Sequence, residues 1–267
     1  NANRLVVIKT GSSLLRVHFL DVGQGDCILI DCGETEVLID GGNNGAGDEV
    51  VSYLTPYIDG KLDYLIATHP DADHVGGLDA VLEAFEVGEV IDSGRKSDTD
   101  TYKDYWAAVQ AEGCTISYGE DRIIPLSSLA ALSILETGND WEDSNDCSVV
   151  AQLTCGNVQV LFTGDMSQQV ETKLLPLFGD IDVLKVSHHG SDTASCAEFL
   201  SVVKPEYAVI SYGLDNAYHH PAGETLQRLF DVGATVYGTG KSGSIVLTTD
   251  GWTYGFNTLS LIHISEP

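Results

Sequence analysis

The 267-residue sequence predicts a layered α/β protein built as one domain. Three observations carry that expectation. Short apolar runs that read as strands alternate with stretches of helical periodicity. Hairpin-like pairs of strands are also frequent, and the mixture fits sheets that carry helices on their outer faces. No internal repeat, low-complexity linker or shift in composition divides the chain. The domain is drawn over residues 14–256, and residues 257–267 form a tail without a recognisable pattern, so His263 is given no role.

The elements follow in order. LLRVHFLDV (14–22), CILIDC (27–32) and EVLIDGG (36–42) read as three successive strands. DEVVSYLTPYI (48–58) has helical spacing of Val51, Leu54 and Ile58, interrupted late by a proline. LDYLIATH (62–69) is a buried strand, and GLDAVLEAF (77–85) a helix with Leu78, Val81, Leu82 and Phe85 on one face. EVIDSG is a strand and loop. TYKDYWAAVQAEG (101–113) is an amphipathic helix ended by glycine. Strands follow at LAALSILET (129–137) and CSVVAQLTCG (147–156), with the acidic loop GNDWEDSND between them. NVQVLFTGDM (157–166) is a strand ending on an aspartate, VETKLLPLF a helix, and DVLKVSHHGS (182–191) a strand ending on two histidines. CAEFLSVV is helical, YAVISYG a strand and ETLQRLFDVG helical. TVYGTG, SIVLTTDG and WTYGF close the chain as strands.

Composition narrows the function classes. Forty acidic residues against 13 Lys and Arg leave a formal charge of −27. Such a surface repels phosphate backbones at long range, which argues against non-specific nucleic-acid binding, although a cation-filled site would still accept a phosphate locally. Hydrophobic residues make up 43%, enough for a full core. No apolar run reaches about 18 residues, so no transmembrane segment is expected. The opening NANRLVVIKTGSSLLRVHFLDV lacks a signal-peptide layout. Six cysteines, Cys27, Cys32, Cys114, Cys147, Cys155 and Cys196, form no CxxC pair, so a zinc ribbon is not expected. Buried free thiols are the default, with Cys27 and Cys32 on opposite faces of their strand. Location is not fixed; acidity and cysteine content lean weakly toward an extracellular or cell-surface protein.

The chemistry gathers at three strand ends. LIATHPDADH, VLFTGD and VLKVSHHG are apolar runs that each stop on His or Asp. Loops at the C-terminal ends of sheet strands are free to carry polar groups. Convergence of the three would unite His69, Asp71, Asp73, His74, Asp165, His188 and His189 as a dinuclear metal site. Taken alone, Asp165 is an ordinary turn former or helix cap, and the His188–His189 pair is weak because one member could be a core histidine. The four titratable groups between His69 and His74 are the stronger signal, since a divalent cation removes their mutual conflict. Asp40 is expected to accept from a metal-bound histidine. Asp21, Gln24 and Asp26 in DVGQGD are expected to order the loop beneath the metals. GTGKSGS (238–244) resembles a phosphate-binding loop, but its spacing fails and no helix is expected after it.

These residues resemble a known family. His69, Asp71, Asp73, His74 and Gly76 match the HxHxDHxxG signature of the metallo-β-lactamase fold, with Asp71 in place of the second His. The variant HxDxDHxGG, with FLDVGQGDCILID (19–31), VLIDGG, LFTGD, VLKVSHHGS and YHHPAGETL (218–226), is similar to the soluble hydrolase domain of ComEC-type competence DNA-uptake proteins. Choline-phosphate esterases share the motif style. The resemblance, from about Leu14 to Phe256, implies a four-layer αββα sandwich with metals at one edge. By position, His69 and Asp71 would hold the first metal, Asp73 and His74 the second, and Asp165 would bridge them. The last ligand would be one of His188 and His189, with His189 favoured and His188 beside it or facing substrate. His220 in YHHP would contact a substrate phosphate.

The sequence departs from the lactamase pattern in having no third histidine between His74 and His188. Related domains carry Asn and Ser there, so Asn145 or Ser148 would approach the first metal, or water would fill the gap. A carboxylate-rich site leans toward harder ions, so Mn²⁺ competes with Zn²⁺ for the two divalent positions. The expected function is a binuclear hydrolase of a phosphodiester. The cations would lower the pKa of a water near Asp73 and Asp165, and His188 or His220 would protonate the leaving oxygen. Single-stranded DNA is the substrate the resemblance suggests, in association with a membrane DNA-uptake channel. A choline-phosphate or other small phosphoester, and a non-catalytic metal-binding module, are the alternatives.

Overall fold

The computed structural model describes residues 14–33 and 35–258; residues 1–13, Glu34 and residues 259–267, with His263, lie outside the described residues. The chain first lays down β1 (Leu15–Phe19), β2 (Ile28–Asp31), β3 (Glu36–Ile39), β4 (Lys61–Ala67), β5 (Glu86–Asp92) and β6 (Thr115–Tyr118). It then crosses to a second sheet for β7 (Arg122–Pro125), β8 (Ala130–Leu135), β9 (Val150–Cys155), β10 (Val158–Phe162), β11 (Val183–Lys185), β12 (Tyr207–Ile210) and β13 (Thr235–Gly238). Finally β14 (Ile245–Thr249) and β15 (Tyr254–Thr258) return to the first sheet. The first sheet runs β15-β14-β1-β2-β3-β4-β5-β6 and the second β13-β12-β11-β10-β9-β8-β7.

Side-chain alternation builds the layers. In β2, Ile28 and Ile30 join the apolar cluster between the sheets, while Leu29 points out to a second cluster. Val160 and Phe162 of β10 likewise point inward, and Leu161 outward to a third cluster. The outer face of the first sheet is covered by α1 (Gly47–Leu54), α3 (Leu78–Ala84) and α4 (Asp100–Glu112); that of the second is covered by α5 (Gln168–Leu174), α6 (Ala197–Val203) and α7 (Gly223–Asp231). The result is the four-layer αββα sandwich. Two short helical turns, α2 (Ala72–Val75) and α8 (Thr239–Ser242), sit in the connections after β4 and β13. The expected separation of Cys27 and Cys32 onto opposite faces is present, and all six cysteines are free thiols. No helix among the described residues is long and apolar enough to cross a membrane.

Local signals mark several helix ends. Thr99 caps α4 by accepting the Tyr102 N–H at 3.3 Å, and Gly113, with φ of 72°, ends it in the left-handed region. Four features depart from the reading of the sequence. β6 and β7 were not anticipated because they are four-residue, partly exposed strands at opposite sheet edges, where burial imposes little pattern. The helix after Asp48 stops at Leu54, two residues before Pro56. GTGKSGS is itself a helical turn, α8, held by Thr239, whose hydroxyl oxygen accepts the Tyr212 N–H at 3.0 Å; β14 then follows. β11 ends at Lys185, so His188 and His189 sit in a turn of left-handed backbone rather than on a strand.

Each sheet contains an antiparallel portion and a run of four parallel strands, β3-β4-β5-β6 in one and β10-β11-β12-β13 in the other. Adjacent parallel strands deliver their C-terminal ends side by side. Asp40 and His69 follow β3 and β4, and Asp165 and His189 follow β10 and β11. The fold thus brings four strand ends to one seam between the sheets.

Two stability outcomes follow from the packing. Phe162 is buried between the sheets with its ring 6.4 Å from that of Phe19. Phe162→Ala is expected to lose about 3–5 kcal/mol in urea denaturation, whereas Ile123→Ala, at a position 71% exposed, should stay within about 0.5 kcal/mol. A Phe162→Ala variant as stable as the parent would contradict the layered core.

Glu36 is buried beside Asp63, Asp31 and Asp59. Burial first, and then these carboxylates, raise its pKa from 4.5 to about 7. Because the folded value is raised, its contribution to stability is complete below about 4.5 and lost as pH rises through about 7. Glu36→Gln should therefore gain on the parent in thermal denaturation as pH climbs across that window. A stability difference that does not change with pH would refute this.

Candidate metal centre

β4 ends at Ala67, and THPDADH leaves it as an extended segment that closes into the turn α2. The His74 N–H donates to the Asp71 carbonyl at 3.0 Å, which folds His74 back until its ring lies 4.1 Å from that of His69. The loop DVGQGD packs underneath. Its Asp26 N–H donates to the Asp73 carbonyl at 3.1 Å, and a Cβ on Gly25 would stand 2.3 Å from that same oxygen, so only glycine allows the approach. Across the seam, Gly164 adopts φ of +51° where a Cβ would meet the Ser148 oxygen at 2.7 Å. Asp165 follows and donates its N–H to that oxygen at 3.0 Å.

Hydrogen bonds orient three imidazoles the same way. His74 Nδ1 lies 2.7 Å from Asp40 Oδ2, which accepts only, so the Nδ1 carries the proton. The Thr68 hydroxyl donates to Asp40 at 2.7 Å, which leaves its oxygen to accept from His69 Nδ1 at 3.1 Å. His189 Nδ1 donates to the Ser211 carbonyl at 2.9 Å. Each ring therefore points its Nε2 inward, the arrangement that metal-bound histidines require. Those three Nε2 atoms, together with Asp165 Oδ1, are buried without a hydrogen-bond partner.

Asp165 is the meeting point. Its Oδ2 lies 3.3 Å from His74 Nε2, 3.4 Å from His189 Nε2 and 3.9 Å from His188 Nε2. Asp73 Oδ2 lies 3.2 Å from His189 Nε2. Two groups of three donor atoms, one from His69, His74 and Asp165 and the other from Asp73, His74 and His189, each fall within 4.8 Å. Buried imidazole nitrogens converging on carboxylate oxygens, two of them at 3.2 to 3.4 Å, form a donor set that fits a divalent cation.

The electrostatics agree. Burial disfavours the imidazolium of His74, but Asp165 and Asp40 outweigh it and raise the pKa well above the ordinary value. His189 is raised in the same way, burial being outweighed by Asp165 and Asp73. Burial and the neighbouring His74 lower His69 to about 3. Burial works against the Asp165 carboxylate, yet His189 and His74 hold it well below the usual range. Asp73 is also held low, its burial outweighed by the neighbouring His189 and His74. The pocket thus favours positive charge at its centre, which protons supply in part and cations supply better.

The other expected residues divide. Asp26 and Asp40 lie beneath the cluster. Ser148 contacts it, with Oγ 3.3 Å from His69 Nδ1. Asn145 approaches His188 instead, with Nδ2 3.5 Å from Nε2. Asp71 accepts from the Ser144 hydroxyl at 2.9 Å and belongs to neither group; burial raises its pKa. Asp21 shapes its own loop, accepting from the Gly23 N–H at 3.2 Å, and does not reach the imidazoles. The ring of His220 stands 5.7 Å from that of His188 at the edge of the cluster. Lys185, which the motifs do not mark, is fully buried, pairs with Asp26 and lies 3.9 Å from Asp165 Oδ1. Its signal was a lone lysine inside the apolar run VLKV.

Lys185→Met would leave the Asp26 carboxylate buried without its cation. The expected result is a loss of about 3–5 kcal/mol in urea denaturation of chelator-treated protein. Adding Asp26→Leu should recover part of it. A single variant with unchanged stability would show that the pair does not hold the loop.

With this geometry in place, comparison with known proteins is direct. The metallo-beta-lactamase superfamily profile matches residues 20–214. The chain is 31% identical over 256 residues to ComE operon protein 3 of Bacillus subtilis, covering 88% of this chain and 33% of that protein. It is 31% identical to Recombination protein 2 of Haemophilus influenzae (86% and 28%) and 30% identical to competence protein ComA of Neisseria gonorrhoeae (84% and 31%). The chain thus spans about a third of the length of these relatives. Among solved structures, the metallo-beta-lactamase fold protein YhfI of B. subtilis superposes with a TM-score of 0.61 at 14% identity, over 89% of this chain and 100% of that one. The diiron β-hydroxylase CmlA of Streptomyces venezuelae superposes at 0.54 with 17% identity, over 86% and 53%. The chain belongs to the metallo-beta-lactamase superfamily, as a metal-dependent hydrolase domain related to competence proteins.

Proposed function

We propose that residues 14–256 form a binuclear metal-dependent phosphodiesterase acting on nucleic acid in DNA uptake. The observation that carries the binuclear reading is the single Asp165 oxygen standing between the Nε2 atoms of His74 and His189, at 3.3 and 3.4 Å. His69 would serve one cation, with Asp71 joining it only by leaving Ser144; Asp73, His74 and His189 would serve the other; Asp165 would belong to both. Ser148 would support His69 from behind, its Oγ 3.3 Å from Nδ1 on the side of the ring away from Nε2. The mix of imidazoles and carboxylates suits Mn²⁺ or Zn²⁺. A pair of such ions would supply Lewis acidity and offset the charge of an anionic substrate.

The protein's own groups have distinct tasks. Asp40 and Ser211 hold His74 and His189 in the tautomer that faces inward. Asp73 would help to hold the attacking water at the mouth. His188 is half-buried, 3.9 Å from Asp165, with His220 behind it, and this pair would deliver a proton to the leaving oxygen. The relatives named as competence and recombination proteins support nucleic acid as the substrate. They are about three times as long, so association with a membrane channel is a proposal for the longer protein. A net charge of −27 favours the second reading, a small phosphoester such as a choline-phosphate ester, because it opposes a wide DNA footprint.

Purified protein is expected to contain two divalent ions by mass spectrometry and to cleave a chromogenic phosphodiester. Chelator should abolish turnover, and Asp73→Ala should lower it by more than ~100-fold. Equal rates in all three samples would end the proposal. One tightly held ion without turnover would mark a non-catalytic module. Faster cleavage of a choline-phosphate ester than of single-stranded DNA, at any salt, would favour the second reading.

A further inference from the structure

The loop between β12 and α7 carries an exposed aromatic ring that the chemistry above does not use. Tyr218 is 68% exposed and stacks on His220, with centroids 5.7 Å apart and planes 23° apart. His220 in turn meets the ring of His188 edge-on at 5.7 Å, and His188 Nε2 lies 3.9 Å from Asp165. The three rings form a continuous ladder from solvent to the metal centre. The Nδ1 of His220 is buried in that ladder without a hydrogen-bond partner.

The ladder is held in place before any ligand arrives. Asn216 folds the loop around itself: its Nδ2 donates to the carbonyls of Gly213 at 2.7 Å and His220 at 2.6 Å, and its Oδ1 accepts from the N–H groups of Tyr218 at 3.1 Å and His220 at 3.0 Å. One end of the loop is tied to the DVGQGD loop, where Gly213 N–H donates to Gln24 Oε1 at 3.2 Å. The other end is tied to the histidine turn, where Ala222 N–H donates to the Gly190 carbonyl at 2.9 Å. A scattered exposed tyrosine needs no explanation. A tyrosine fixed by a closed hydrogen-bond network, stacked on one ring that meets a second edge-on beside the metal centre, is a built surface.

We propose that Tyr218 is a stacking platform for a nucleobase of single-stranded nucleic acid whose phosphate lies at the metal centre. The proposal rests on the phosphodiesterase reading and deepens it. Every base offers a flat face, so such a platform binds without sequence preference. Stacking also answers the charge problem. An acidic protein gains little from long-range attraction to phosphates, whereas base–aromatic contact does not depend on the sign of the surface.

The test uses the full chain with Mn²⁺, in parent, Tyr218→Ala and Tyr218→Phe forms. The substrates are a single-stranded oligonucleotide, an abasic oligonucleotide of the same length and a choline-phosphate ester. Tyr218→Ala should raise KM for the oligonucleotide by about 5- to 100-fold and leave the abasic strand and the choline ester unchanged. Tyr218→Phe should match the parent. The ratio of KM between Tyr218→Ala and the parent should also hold constant between about 50 and about 200 mM salt, since no counterions are released by stacking.

An unchanged KM for the oligonucleotide, an equal rise on both strands, or a rise confined to the choline ester would each overturn the proposal. If the parent cleaves neither strand, the phosphodiesterase reading has failed on its own account. The platform is then decided by fluorescence anisotropy of a labelled oligonucleotide with the Mn²⁺-loaded protein. Weaker binding by Tyr218→Ala supports it, and equal binding overturns it.

Discussion

Asp165 brings a carboxylate oxygen into the seam between two sheets and sets it among three imidazole nitrogens. Much of the surrounding structure serves to make that placement tolerable. Burying a carboxylate is expensive unless charge and hydrogen bonds compensate. Here the compensation comes from both sheets. His74 arrives from the first and His189 from the second, while Lys185 stands 3.9 Å from the far oxygen. Removing any one of them would leave unbalanced charge at the place where the two halves of the molecule meet.

The same balance explains why backbone strain collects here. Asp40, His188 and His189 all adopt positive φ, of 59°, 50° and 53°, a region that side-chain-bearing residues seldom occupy. Each does so at the end of a strand that delivers a site residue. The left-handed turn at Asp40 lets its carboxylate reach both Thr68 and His74, and the paired turns after Val186 aim the His189 ring inward while the His188 ring stays half-exposed. The strain is held by hydrogen bonds such as His189 to the Ser211 carbonyl, not by cavity shape.

Much of this was legible in the residues. The continuous apolar runs in CILID and VLFTG carry the burial of both sheet faces, since a strand with apolar residues at every position must be covered on both sides. The strand-end histidines and aspartates marked the cluster because such groups in an apolar setting demand a counter-charge. Other features left no such trace. Edge strands β6 and β7 are too short and too exposed to show a period. Lys185 reads as an ordinary lysine until its pairing with Asp26, 159 positions earlier in the chain, is seen. Asp71 sits in the motif with its neighbours, yet a hydrogen bond to Ser144 turns it aside.

What the residues carry alone is chemistry and local geometry: which positions are apolar, where strands stop, and which donors cluster within a few residues. These depend on short-range periodicity and side-chain type, which a linear string records. Which histidine of the 188–189 pair points inward, how Asp165 is shared, and how Tyr218 comes to stack above the site all depend on contacts between segments distant in the chain. Such contacts are set by sheet packing and by turns whose φ values no short motif encodes. They exist only once the two sheets have closed on each other.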